Sequence, residues 1–340
     1  MKKVVIIAEA GVNHNGSVEN AYKLIDAAKE AGADYVKFQT FKANKLVTQT
    51  AKKAEYQSAN MNSSEGSQFE MLKKLELKEE DHFKLKIYAE KNNIKFLSTG
   101  FDEDSIDFLD ELGMDFYKIP SGEITNYPYL KHVASKNKPV ILSTGMATLA
   151  DIEAAVNLFI ANGISLDDIQ ILHCNTEYPT PMKDVNLLAM KTIEATFGVN
   201  VGYSDHTLGI EISVAAVAMG AKVIEKHFTL DKNMEGPDHR ASLDPAELKN
   251  MITAIRNVEL AISGNGIKQP SDSEIKNIQV ARKSIHLRSS LQKGTTLTAE
   301  HLIMLRPGNG ISPFDMEKLT GRKINKDLEA NHQLSWTDIS

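Results

Sequence analysis

A single cysteine, Cys174, in 340 residues excludes an intrachain disulfide. No apolar run approaches the roughly 20 residues that a membrane span needs. The opening MKKVVIIAEAG starts basic, but its apolar stretch is too short for a signal-peptide core and reads as a first strand. The protein is therefore expected in the cytoplasm. There is no cationic excess: 39 Lys and Arg face 45 Asp and Glu, for a net charge of −6. That balance argues against nucleic acid or an anionic membrane as the main partner. Any anion site must be built locally, from a few lysines, arginines and backbone N–H groups. A Gly-x-Gly-x-x-Gly turn after the first strand is also lacking, which removes the main support for an open dinucleotide-binding sheet.

What is present is alternation. Short, mostly apolar runs suited to strands buried on both faces occur at 4–11, 35–39, 95–99, 116–120, 139–144, 169–174, 199–204 and 223–228. Amphipathic helical segments separate them. Ser17 is the expected N-cap of the first helix and Gly32 its stop. Asp244, Pro245 and Glu247 open the eighth. Eight such βα units predict an α/β fold, a closed (β/α)8 (TIM) barrel, over residues 1–263. Residues 40–75 form a long polar connection, expected to leave the catalytic end of the second strand and cover the site. Residues 264–280 read as a turn-rich linker, and 281–340 as a small β-rich domain.

In a barrel of this kind, catalytic groups sit where strands end. Ionisable residues recur there: Glu9, Lys37, Lys118, Cys174, His206, and Glu225 with His227. His206 and His227 follow adjacent strands, so two imidazoles can share one divalent cation and leave positions open for substrate oxygens. His14, in the first βα loop, is either a third ligand or a residue that shapes the loop. Lys37 and Lys118, with Ser121, Ser143 and Ser204 and the glycines Gly122 and Gly145, read as an anion cradle across the barrel mouth. The competing idea, a lysine Schiff base, becomes unnecessary where a cation polarises the carbonyl.

The strings EAGVNHNGS (9–17), KFQTFKA (37–43), KIPSGEITNYPYL (118–130), LSTGM (142–146), LHCNTEYPTP (172–181), GYSDHT (202–207), IEKHFTLDK (224–232), GPDH (236–239) and RPGNGIS (306–312) run almost end to end. Together they resemble the bacterial N-acetylneuraminate (sialic acid) synthases and their legionaminic acid relatives. The resemblance implies a barrel followed by an antifreeze-like (SAF) domain. It implies a transferase that condenses phosphoenolpyruvate with an open-chain N-acetylhexosamine, releasing phosphate and a nine-carbon 2-keto acid. It implies manganese or magnesium on His206 and His227, and phosphoenolpyruvate on Lys37, Lys118, Ser121, Ser143 and Ser204. Glu9 would be the acid/base acting at C2. Gln39, Glu123, Tyr178 and Asp238 would contact the amino sugar, joined by Arg306 from the partner subunit of a domain-swapped homodimer. The chain departs from the sialic acid synthase pattern at Phe38, at Asn175-Thr176 and at Gly100. N-acetylmannosamine is the expected acceptor, and 2,4-diacetamido-2,4,6-trideoxymannose is its rival. A non-catalytic carbohydrate- or ice-binding protein would leave the strand-end residues without a purpose.

Overall fold

The computed structural model describes residues 3–61 and 66–340. The chain separates into two compact units, Met1–Gly264 and Asn265–Ser340.

The first unit holds β1 (Val5–Gly11), β2 (Tyr35–Thr40), β3 (Lys95–Gly100), β4 (Tyr117–Ile119), β5 (Val140–Ser143), β6 (Ile169–Cys174), β7 (Asn200–Asp205) and β8 (Val223–His227). These strands are parallel and ordered β3-β2-β1-β8-β7-β6-β5-β4. The ends of that order, β3 and β4, lie side by side, so the sheet curls into a (β/α)8 barrel. All eight expected strands are present, displaced by a residue or two at most. Helices α1 (Val18–Ala31), α2 (Ala43–Leu46), α3 (Glu55–Asn60), α4 (Gln68–Leu75), α5 (Glu79–Lys91), α6 (Glu103–Glu111), α7 (Tyr127–Ser135), α8 (Leu149–Ala161), α9 (Leu188–Phe197), α10 (Glu211–Ala218) and α11 (Pro245–Ala261) complete the unit.

The caps follow the local chemistry. The Ser17 side chain accepts from Asn20 N–H to start α1, and Gly32 ends the helix in the left-handed conformation that costs glycine least. Asp244 and Glu247 form a reciprocal capping box at α11. Outward-facing strand residues such as Ile6, Phe38 and Ile224 and the inner helix faces (Leu24 and Ile25 of α1, Ile252 and Ile255 of α11) make one continuous apolar core.

The long connection after β2 differs from expectation in being about half helical, through α2, α3 and α4. Its residues 62–65 lie outside the described residues. Ser67 and Glu70 close a capping box on α4, which lets so short a helix persist. Met71, Leu72 and Leu75 of α4 pack with Val12, Phe41 and Ala43 in a satellite apolar cluster.

The second unit begins with α12 (Asp272–Ala281), so part of the segment expected to be a turn-rich linker is helix, started by the Ser271–Glu274 capping box. An antiparallel pair, β9 (Ser284–Leu287) and β10 (Leu302–Leu305), isolated bridges and the one-turn α13 (Met316–Leu319) enclose a small core of Ile285, Leu287, Leu297, Leu302, Leu319 and Leu334. Among the described residues, no helix is long and apolar enough to cross a membrane.

Candidate active site

Side chains two apart on a strand share a face. Strand register then decides which residues of neighbouring strands meet. Glu9 is the Cα partner of both Lys37 and His227, and Ser204 is the partner of Glu225. These residues face a cavity of about 690 Å3 at the C-terminal ends of the strands. Most candidates read from the barrel sequence line it, His14 and Gly145 excepted. The expected anion cradle contributes Lys37, Lys118, Ser121, Ser143 and Ser204, and the expected metal pair contributes His206 and His227. Glu9 joins them, with Gln39, Glu123, Tyr178 and Asp238. Gly11 sits among them with φ +51°, where a Cβ would come within 3.2 Å of Glu9 Oε1 and 3.4 Å of His227 Cε1. Leu46, Val47, Met71, Leu72 and Leu75 of the long connection close one side, as expected of a covering segment.

At the floor lies a buried charge cluster. Lys37 Nζ stands 2.9 Å from Glu9 Oε2 and 3.6 Å from Glu225 Oε2, and it donates to Thr99 Oγ1 at 2.7 Å. Lys118 Nζ stands 3.4 Å from Glu225 Oε1, which also accepts from Ser204 Oγ at 3.0 Å. The two carboxylates are pushed apart in acidity. Burial raises the Glu9 pKa, with Lys37 opposing and Glu225 adding to the rise. Burial acts the same way on Glu225, but Lys118 and Lys37 outweigh it and hold the Glu225 pKa below the usual carboxylate range. The lysines split likewise. Burial works against the charge of both, but Glu225 and Glu9 keep the Lys37 pKa raised, whereas that of Lys118 stays lowered. A pair of carboxyls separated in this way divides into a fixed anion, Glu225, and a proton carrier, Glu9.

Among the described residues Ser143 Oγ finds no hydrogen-bond partner; it is buried and lines the cavity, so it is available to a bound anion. Ser121 Oγ accepts from Gly145 N–H at 2.9 Å and lies 3.2 Å from Cys174 Sγ.

The rings of His206 and His227 are 5.5 Å apart, centroid to centroid. His206 Nδ1 donates to the Asn175 carbonyl, which leaves Nε2 with its lone pair. Tyr178 stacks on the same ring at 4.0 Å. Burial pushes the His206 pKa down to about 4, and burial with the neighbouring His206 puts that of His227 well below the usual range. Both imidazoles are therefore neutral at pH 7, as ligation requires. Asp238 Oδ2 lies 4.0 Å from His227 Nδ1, and burial, reinforced by Glu9, raises the Asp238 pKa to about 7. Among the described residues, no group of three or more His, Cys, Asp or Glu side chains is arranged to hold a metal ion. Two imidazoles are what this site could offer a metal, and such a pair suits a borderline cation that keeps other positions for oxygen ligands.

The reading of His14 needs correction, Arg306 is placed, and Glu225 and Thr99 are added. His14 is not a third ligand: its Nδ1 accepts from Gly16 N–H at 2.9 Å, and the residue does not line the cavity. It shapes the first loop. Arg306 belongs to the second unit, where its Nε donates to the Ala281 carbonyl at 3.0 Å. Glu225 is a hub of the charge cluster, although its strand-end position alone assigned it no role. Its spacing of two from His227 was the available signal. Thr99, the Cα partner of Gln39 and a ligand of Lys37, carried no comparable signal.

The chain is similar to known proteins along almost its whole length. The model of the NeuB family matches residues 24–268, and that of the SAF domain matches residues 282–340. The chain is 54% identical to the N,N'-diacetyllegionaminic acid synthase of Campylobacter jejuni, over 97% of this chain and 98% of that one. It is 52% identical to the N,N'-diacetyllegionaminic acid synthase of Legionella pneumophila, over 98% and 94%. The crystal structure of an N-acetylneuraminic acid (sialic acid) synthetase from Leptospira borgpetersenii, in complex with citrate, aligns with a TM-score of 0.71. Identity to it is 34%, over 82% of this chain and 90% of that one.

Proposed function

The chain belongs to the NeuB family, and from that premise we propose that it is an N,N'-diacetyllegionaminate synthase. It condenses phosphoenolpyruvate with 2,4-diacetamido-2,4,6-trideoxymannose, releasing phosphate. The observation that carries the acceptor is the identity of 54% and 52%, over nearly the full length of each chain, to two synthases of that product. The expected N-acetylmannosamine gives way to its rival on this ground. The cavity supports the change. Leu46, Val47, Met71, Leu72 and Leu75 form an apolar side that suits two acetamido methyls and a 6-deoxy carbon better than a polyol chain.

The residues divide the work. The Lys37 and Lys118 ammoniums and the unpartnered Ser143 hydroxyl receive the phosphate and carboxylate of phosphoenolpyruvate, with Ser121 and Ser204 beside them. Glu225 stays ionised and aims both lysines. Glu9, whose raised pKa makes it the better base, takes the proton of the water that adds to C2. Phosphate then leaves from a tetrahedral carbon, by C–O cleavage. Gln39 donates to Glu9 Oε1 at 3.1 Å and orients that carboxyl next to the sugar. Glu123, Tyr178 and Asp238 line the acceptor side. His206 and His227 would hold manganese or magnesium, which supplies Lewis-acid polarisation of the sugar aldehyde.

The test is phosphate release from phosphoenolpyruvate with a panel of acceptors in the presence of manganese. The diacetamido sugar should exceed N-acetylmannosamine in kcat/KM by about tenfold or more, a range that apolar contacts can supply. Faster turnover with N-acetylmannosamine would restore the sialic acid reading.

A further inference from the structure

One charged pair in the barrel unit takes no part in the chemistry above and is more deeply buried than the site itself. Lys226 Nζ lies 3.0 Å from Asp205 Oδ2, and both side chains are fully excluded from solvent. Asp205 and Lys226 are direct Cα partners on β7 and β8. Each immediately precedes one of the two histidines. They face outward, toward the helical layer, since Ser213 of α10 donates to Asp205 Oδ2 at 2.7 Å.

Their hydrogen bonds converge on one residue. Asp205 Oδ1 accepts from Thr207 N–H at 2.9 Å and from Thr207 Oγ1 at 2.7 Å, while Lys226 Nζ donates to the Thr207 carbonyl at 2.5 Å. The pair thus supplies the residue before His206 and holds every polar group of the residue after it. Its other member, Lys226, is the residue before His227. We infer that Asp205 and Lys226 are positioning residues for the metal centre, fixing the backbone that carries His206 at a set distance from His227. The inference rests on the reading of those histidines as metal ligands.

A structural staple is the plainer role, but the geometry asks for more. β7 and β8 are already joined by their ladder, and apolar residues of similar volume commonly replace a buried ion pair without loss of stability. What apolar residues cannot do is bond to all three polar groups of Thr207. Supporting groups of this kind typically change metal affinity by 10- to 100-fold when removed.

The test separates fold from position. The double variant Asp205→Leu/Lys226→Met removes both charges together, so no ion is stranded. In the full-length protein, stripped of metal and titrated calorimetrically with Mn2+, its Kd should rise about tenfold or more. Its affinity for phosphoenolpyruvate, held chiefly by Lys37, Lys118 and Ser143 on β2, β4 and β5, should stay within about twofold of the parent. Turnover should recover at saturating Mn2+, so that the half-saturating concentration moves and kcat does not. Thr207→Val and Thr207→Ser give the same answer without touching the charges. Valine should weaken Mn2+ binding several-fold, and serine, which keeps the hydroxyl, should restore it. Parental Mn2+ affinity in the double variant, or in Thr207→Val should the double variant not fold, overturns the positioning role. His206→Ala is the control for the premise: if it binds Mn2+ as the parent does, the metal reading itself fails, whatever the other variants show.

Discussion

Glu225→Gln changes one atom and removes the charge that opposes two buried ammoniums. Lys118 has no other carboxylate within 4 Å among the described ion pairs, and Lys37 keeps only Glu9. Breaking a buried pair from one side costs about 3–5 kcal/mol, because the remaining charge is neither solvated nor paired. In a unit of this size, that lowers Tm by roughly 10 °C. Two rescues follow from the same cause. An anion in the cradle replaces the missing charge, so phosphoenolpyruvate should stabilise the variant more than the parent. At a hundred times Kd, a ligand contributes about 2.7 kcal/mol, and the variant should bind it more tightly because one competing carboxylate is gone. The second rescue is alkaline. Without Glu225, the Lys118 pKa falls further below its unfolded value of about 10.4. The unfolded chain then holds more protons between those two values, so the variant's stability rises with pH across that window and its deficit narrows. Calorimetric melting at pH 7 and 9, with and without phosphoenolpyruvate, reads all three effects. A variant that melts within about 2 °C of the parent, or gains no more than the parent from the anion, would refute the charge-cluster argument.

Chelation should abolish turnover and Mn2+ should restore it, while His206→Ala and His227→Ala lose Mn2+ binding with unchanged circular dichroism; full turnover by metal-free protein contradicts the assignment. With 18O in the bridging position of phosphoenolpyruvate, the label should leave with phosphate and solvent oxygen should appear at C2. Solvent oxygen in the phosphate instead would remove the role given to Glu9. Burial pushes the His14 pKa down to about 3, so the unfolded chain takes up this proton first as pH falls below about 6.5, and stability drops by about 1.4 kcal/mol per pH unit from this group. Urea unfolding between pH 6 and 4 should show a shallower loss in His14→Gln; equal slopes would exclude the effect.

The barrel was legible because strands buried on both faces are short, nearly continuous apolar runs, and eight of them alternate with capped helices. The excursion after β2 was read only as polar and covering. Its helices are too short for a 3.6-residue period to show, since α2 has four residues and α3 six. The clues were local instead. Ser67 with Glu70 and Ser271 with Glu274 are both Ser-x-x-Glu boxes, and each marks a helix start inside a segment read as irregular. The acceptor was legible only as two rivals, and the residues did not choose between them. Phe38, one of the departures from the sialic acid synthase pattern, points outward and stacks on Phe96 at 5.6 Å, away from the cavity.

Strand parity explains which residues the sequence could assign. On β2, Lys37 and Gln39 face inward and Phe38 outward; on β8, Glu225 and His227 face inward and Lys226 outward. Applying the two-residue repeat outward from His227 places Glu225 in the site at once, and the same step from His206 places Ser204 there. The rule also has a converse. Outward positions of a barrel strand pack against helices and are expected to be apolar, as Ile6 and Phe38 are. Asp205 and Lys226 break that expectation on adjacent strands, in register, one residue before each histidine. Either charge alone would be a buried liability. Together they neutralise each other and spend their remaining hydrogen bonds on Thr207 and Ser213. These two charged exceptions therefore lie directly beneath the two residues whose spacing the proposed chemistry depends on most.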